Sequence, residues 1–275
     1  MSDLKVRQEP LRIVPTAVVT RPWRALGGKA SLRLVERHAR VYRHLWLMLA
    51  SGIGEPLFYL LSIGVGIGHL VGTVGGVSYT AYVAPALLAT SSMNGAIYDS
   101  TFNVFFLIKY AKTYDAALAT PMRAPDLALG QVLWALIRSA IYAFFFTLVM
   151  LAMGLFHSYW AIGVLPAAIL TGFAFAAAGM AATTFMRSWQ DFEFVTLVSV
   201  PMFLFSAVFF PLSVYPRPVA ILVQCTPLYQ AVTLMRGLSL GVVGPGLLWR
   251  AAYLAVMGLA GLYLAGRRVD HLLLT

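Results

Sequence analysis

Lys109-Tyr-Ala-Lys-Thr-Tyr-Asp-Ala-Ala-Leu-Ala-Thr-Pro-Met-Arg-Ala-Pro-Asp126 stands between two apolar runs, about 80–108 and 129–155. No other stretch of the hydrophobic body, residues 45–266, stays polar for so long. Each flanking run exceeds the ~20 residues that carry a helix across a bilayer. The polar stretch therefore reads as a surface connection between two buried helices, and the rest of the chain can be parsed outward from it.

Composition agrees. The 275 residues are 60% hydrophobic and 11% charged, with a mean hydropathy of +0.80. A soluble chain carries roughly a quarter charged residues. The expected class is an all-α integral membrane protein. The net charge of +10 would suit nucleic acid, but its placement does not. Ten of the twenty basic residues precede residue 44 and adjoin the first apolar run, from Lys5 and Arg7 to Arg40 and Arg43. Such a cluster holds a terminus in the cytoplasm and attracts anionic lipid headgroups. Membrane lipids are therefore expected partners, and nucleic acid is not. The single cysteine, Cys225, rules out an intrachain disulfide framework. No cleavable signal peptide is expected, because the first apolar run starts some 44 residues in.

Residues 1–30 read as an irregular cytoplasmic tail. Across 31–44 a helical period appears, with Leu34, Val35, Val41 and Tyr42 on one face and Arg33, Arg37, Arg40 and His44 on another. This predicts an amphipathic helix in the headgroup layer, with Glu36 and Arg40 spaced as an i,i+4 pair. Six spans are then expected within 45–266, at about 45–68, 80–108, 129–155, 160–186, 192–212 and 247–266, and 267–275 forms a cytoplasmic tail. With both termini inside, Lys109, Lys112, Arg123, Arg187, Arg267 and Arg268 fall on the cytoplasmic side, whereas 69–79 and 156–159 hold no Lys or Arg. The asymmetry fits the positive-inside rule.

Between the last two spans, Pro211, Pro216, Pro218 and Pro227 interrupt apolar pieces too short to cross alone. Thr226-Pro227 resembles an N-cap followed by proline at the first helical position. Two short re-entrant helices are predicted here, carrying Pro227, Tyr229 and Arg236.

No nucleotide site is legible. Ala25-Leu-Gly-Gly-Lys-Ala-Ser31 lacks the first glycine and the Ser/Thr of a phosphate loop. The histidines lack metal-ligand spacing and read as exposed or interfacial, and no catalytic residue is identified. Intramembrane charges are better leads, because they are costly in lipid. Glu55 precedes Pro56, which should kink the first span. Asp99 and Arg138 could pair between the second and third spans. Either these groups line a substrate path, or they satisfy only one another. The Ala89–Gly95 and Thr171–Gly179 runs suit close helix packing. The aromatics at 203, 205, 209, 210 and 215 read first as lipid-facing. In the polar stretch, Tyr110, Tyr114 and Leu118 share a helical face, with Lys109, Lys112 and Asp115 around it and Pro121 ending it.

This segment, Lys109 to Pro121, resembles the connection between the second and third spans of ABC exporter permeases, in the branch of nodulation-signal and daunorubicin-type exporters. Glu55-Pro-Leu-Phe-Tyr-Leu-Leu61, Tyr82-Val-Ala-Pro-Ala-Leu-Leu88, Arg187-Ser-Trp-Gln-Asp-Phe192, Phe209-Phe-Pro-Leu212 and Pro227-Leu-Tyr with Met235-Arg-Gly237 extend the likeness over roughly 30–268. The resemblance implies a permease subunit without its own nucleotide site. It would pair with a second copy or a related permease and with an ABC-type ATPase subunit that holds ATP and Mg. It implies that Lys109, Tyr110, Lys112, Tyr114, Asp115, Leu118, Thr120 and Pro121, together with the helix bearing Arg33, Arg37, Arg40 and Tyr42, face the ATPase. It also implies outward movement of an amphiphile (lipid, glycolipid, glycan or hydrophobic drug) across the plasma membrane. An ion-coupled secondary transporter is the alternative, although Pro56 and Pro201 mark no convincing repeated halves. A polytopic membrane enzyme would have to rest on Asp191, Glu193 and Arg187.

Overall fold

The computed structural model describes residues 28, 30–42, 54, 56–109 and 124–274. Helices α1 (Ser31–Tyr42) and α2 (Pro56–Val71) are followed by a two-residue hairpin, β1 (Thr73–Val74) with β2 (Val77–Ser78). Then come α3 (Tyr79–Tyr98), a π-helical turn over Asp99–Asn103, and α4 (Val104–Lys109). The remainder is α5 (Ala124–Ala152), α6 (Val164–Thr183), α7 (Phe192–Phe205), α8 (Arg217–Cys225), α9 (Pro227–Leu240) and α10 (Pro245–Leu274). The described residues are thus mostly helical, in keeping with the expected all-α class. Three described helices are long and apolar enough to cross a membrane: Asp126–Ala152, Tyr159–Thr183 with its leading 3-10 turn, and Pro245–Val269.

Local chemistry sets the boundaries. In the hairpin, Val74 faces Val77 across Gly75 and Gly76, whose φ values of 60° and 84° suit the twist of a tight hairpin and are strained for other residues. The Ser78 hydroxyl accepts from the Ala81 N–H to start α3. Pro125 lies in the first turn of α5, where a missing N–H costs nothing. Thr226 caps α9 by accepting from the Tyr229 N–H at 3.3 Å, with Pro227 as the first helical residue. Helices α8 and α9 meet at 85°.

Two expected segments change shape. The run 192–212 is not one long helix, because α7 stops at Phe205 after 14 residues and the chain unwinds over 206–210, with Ala207 at φ 55°. Arg236 on α9 makes this possible. Its buried guanidinium donates to the carbonyls of Ala207 at 2.9 Å, Val208 at 3.3 Å and Tyr82 at 3.1 Å, and stacks 3.8 Å over the Tyr82 ring. Carbonyls freed by unwinding are thereby satisfied away from water. At the other end of the chain, α10 runs on through the expected tail to Leu274, since 266–274 contains no proline to stop it.

Helix α6 occupies the centre and touches α3, α5 and α10. Small residues allow this. A methyl on Gly261 of α10 would lie 2.7 Å from the Ala177 backbone, and one on Gly172 would lie 2.4 Å from the Ser139 hydroxyl of α5. The packing reading of Thr171–Gly179 therefore holds. Where apolar burial supplies little drive, as between helices in lipid, such close approach is the main source of cohesion.

Candidate functional site

A cleft of about 740 Å³ opens between α2, α3, α5 and α7. On α3 its wall is the stripe Leu87, Ser91, Asn94 and Tyr98, with Thr90 and Gly95 beside it. These residues recur every three or four positions and so share one face. The packing expected of Ala89–Gly95 thus applies only to its other face, where Ala89, Ser92, Met93 and Ala96 are buried. The opposite wall is apolar and aromatic: Pro56 and Tyr59 from α2, Val200 and Phe203 from α7. Phe203 packs edge-on to Phe209 at 5.2 Å and to Tyr59 at 6.4 Å, whereas Phe205 and Phe210 are exposed, so the aromatic group divides between cleft and surface.

At the α1 end the cleft is closed by Tyr42, Asn103, Arg138 and Tyr142. Arg138 and Asp99 form a buried ion pair, the contact that the sequence left open. The Asn103 amide donates to the same carboxylate at 2.6 Å. Arg138 also donates to the Tyr42 hydroxyl at 2.9 Å and to the Tyr142 hydroxyl at 2.6 and 3.3 Å, with its carbon 4.8 Å above the Tyr42 ring. Low dielectric strengthens each of these bonds and makes any missing partner costly. The π turn starts at Asp99, and the carbonyl of Ser100 within it is satisfied by the Thr183 hydroxyl at 2.9 Å. Single π turns often mark functional positions in helices.

Helix α1 is fastened to α5 by one face. That face is Ser31, Leu34, Val35, His38 and Tyr42, which corrects the expected one, since Val41 is exposed. Gly130 of α5 sits under Leu34, where a methyl would approach the leucine side chain to 2.8 Å. His38 is half-buried. It stacks on Trp134 at 5.5 Å, and Tyr42 lies 5.1 Å from the same ring.

Burial, and then the charges of Arg37 and Arg138, push the His38 imidazole down from 6.5 to about 4. Because its folded-state pKa is lowered, the unfolded chain takes up the proton first as pH falls. Stability is therefore lost between pH 6.5 and about 4, by up to about 3 kcal/mol, and is intact above that window. We expect α1 to become protease-accessible as pH drops from 7 to 4.5 in the wild type. A His38→Phe variant, which keeps the stacking on Trp134, should show a markedly flatter profile.

Of the other expected site residues, Arg33, Arg37 and Arg40 lie on the exposed face of α1, with Arg40 paired to Glu36. Tyr229 lies beneath Arg250, whose guanidinium carbon is 6.0 Å from its ring. Lys109 closes α4. Glu55, Tyr110, Lys112, Tyr114, Asp115, Leu118, Thr120 and Pro121 lie outside the described residues. Asp191, the centre of the enzyme alternative, has a structural task. Its carboxylate accepts from the N–H groups of Arg187 at 2.6 Å and Ser188 at 3.0 Å, which hold it below the usual carboxylate range. Sequence reasoning missed Asn103, Tyr142 and His38. The spacing of four from Asp99 to Asn103 and from Arg138 to Tyr142 is a signal that could have found two of them.

The architecture is that of a helical membrane protein built around an amphipathic cleft. The chain belongs to the ABC-2 type transporter family, whose model matches residues 32–240. It is 35% identical over 194 residues to nodulation protein J of Rhizobium leguminosarum bv. trifolii, covering 70% of this chain and 74% of that protein. Against nodulation protein J of Sinorhizobium fredii it is 29% identical over 218 residues, covering 79% and 83%. Against the inner membrane transport permease YadH of Escherichia coli it is 25% identical over 177 residues, covering 64% and 69%. It is accordingly a membrane component of an ABC transporter, a transport permease.

Proposed function

We propose that this chain is the membrane subunit of an ATP-driven exporter that moves an amphiphile outward across the bacterial plasma membrane. The observation that carries the reading is the family match over residues 32–240 in a chain whose sequence lacks a phosphate loop. A permease of that kind needs a motor, and an ABC-type ATPase subunit holding ATP and Mg would supply it. Lys109 to Pro121 would receive the force, and α1, with Arg33, Arg37 and Arg40 outward, would flank the same cytoplasmic surface. In this reading both termini are cytoplasmic and six passes are made. Helices α2, α3 with α4, and α7 add three crossings to the long apolar ones, and α8 and α9 re-enter the outer leaflet. The exposed apolar faces of α2 (Phe58, Leu61, Leu70) and α7 (Phe194, Leu197, Val198) suit a second permease copy or a related subunit, with lipid around the remainder. The cleft suits a lipid, glycolipid, glycan or hydrophobic drug, because one wall is apolar and the other polar.

The test is reconstitution. The chain should co-purify with an ABC-type ATPase and support ATP-dependent export from vesicles. Tyr110→Ala and Asp115→Ala should each cut transport per ATP hydrolysed by about ten-fold while the permease still folds and binds its partner. Proton-driven uptake by the purified chain alone, without ATP, would overturn the assignment.

A further inference from the structure

We infer that the cleft selects amphiphiles with an uncharged, hydrogen-bonding head, and that the Asp99–Arg138 pair enforces this choice. The inference rests on the transport reading above and names the substrate class that the cleft takes. Among its described lining residues, Arg138 alone carries a formal charge, and it is already spent. Asp99 neutralises it, and bonds to Asp99, Tyr42 and Tyr142 occupy four of its five N–H groups. Fork recognition of a phosphate or carboxylate needs two parallel N–H donors, and Arg138 has only one to give.

The polar groups that are free point elsewhere. Ser91 and Asn94 line the cleft and make no hydrogen bond among the described residues, whereas the neighbouring Thr90 hydroxyl is engaged by the Ala86 carbonyl at 3.0 Å. With the exposed Tyr98 one turn on, they form a stripe of neutral donors and acceptors toward the α1 end. Leu87, Val200 and Phe203 continue the cleft as apolar surface. A neutral head therefore finds partners there. A charged one would be desolvated beside a pair that cannot neutralise it, and so binds less well.

The test uses the full-length permease in lipid nanodiscs and three probes of equal chain length, each below its micelle concentration: 1-O-octylglycerol, octyl phosphate and octyltrimethylammonium. Octylglycerol should raise the unfolding temperature saturably, at half-saturation about ten-fold below either charged probe, which corresponds to about 1.4 kcal/mol. Asn94→Leu should remove most of that preference. Asp99→Asn should free Arg138 and shift the preference to octyl phosphate. If that variant does not fold, the double variant Asp99→Asn/Arg138→Gln should fold and keep the neutral preference. A charged probe that saturates at equal or lower concentration in the wild type would overturn the inference, as would equal, non-saturating effects of all three probes. So would an Asp99→Asn protein with unchanged selectivity. None of these measurements needs ATP or export. ATP-driven export of a charged amphiphile would sink this inference alone, and loss of the exporter reading would leave the measured selectivity standing.

Discussion

Arg138→Met should destabilise the protein by about 3–5 kcal/mol, because it strands the buried Asp99 carboxylate without its counter-charge. The loss is not the worth of the ion pair itself. One oxygen of Asp99, Oδ2, already lacks a hydrogen-bond partner among the described residues, so the carboxylate has little in reserve. Asn103 would remain as its donor. Tyr42 would lose its bond from α5, so the junction between α1 and α5 should loosen as well. The double variant Asp99→Leu/Arg138→Met removes both charges, and such replacements of buried pairs are often neutral or stabilising. Equilibrium unfolding in mixed micelles would read the difference. A double variant as unstable as the single one would show that packing, and not charge, holds this junction together.

Gly261→Val should be comparably damaging by a different mechanism. Even a single methyl at Gly261 would meet the Ala177 carbonyl carbon at 2.7 Å and the Ala178 nitrogen at 2.8 Å. Backbone atoms cannot rotate out of the way, so α6 and α10 must separate along their whole crossing. Overpacking of a core costs about 1–3 kcal/mol where side chains can yield, and here the cost should lie at the top of that range or above it. Gly246→Ala is the control, since its added methyl meets nothing within 4 Å, and it should unfold like the wild type. The same unfolding assay separates the two. Equal stability of Gly261→Val and the wild type would mean that α6 and α10 are not held at this distance.

Particular residues show how far the sequence could be read. The α9 start was legible because an N-cap and a first-turn proline act within four residues, and Thr226 and Pro227 take those places. The extent of α7 was not. Its sequence stays apolar through Leu212, and nothing local announces that Arg236, thirty residues away along the chain, would accommodate an unwound segment by binding its carbonyls. The α1 face was legible in period but not in register. Leu34 and Tyr42 were placed correctly, and Val41 lost its place to Ser31 and His38 because α5 offered Gly130 and Trp134 at that angle.

The candidate site divides in the same way. Asp99 and Arg138 stood out in the sequence because charge inside an apolar run is expensive wherever the helix goes. That they meet, that Tyr42 joins Arg138 from 96 residues away, and that Ser91, Asn94 and Tyr98 face a cleft depended on how α3, α5 and α7 turn about their axes. Hydropathy, charge placement and caps are properties of short stretches, and the sequence by itself determined them: a helical membrane protein with costly charges inside its apolar runs. Rotation and spacing of helices come from the close fit of Gly172, Gly179 and Gly261 against their neighbours. Only the tertiary structure could decide which polar groups are consumed in pairs and which remain free for a ligand, because that fit is a property of facing surfaces that no single stretch contains.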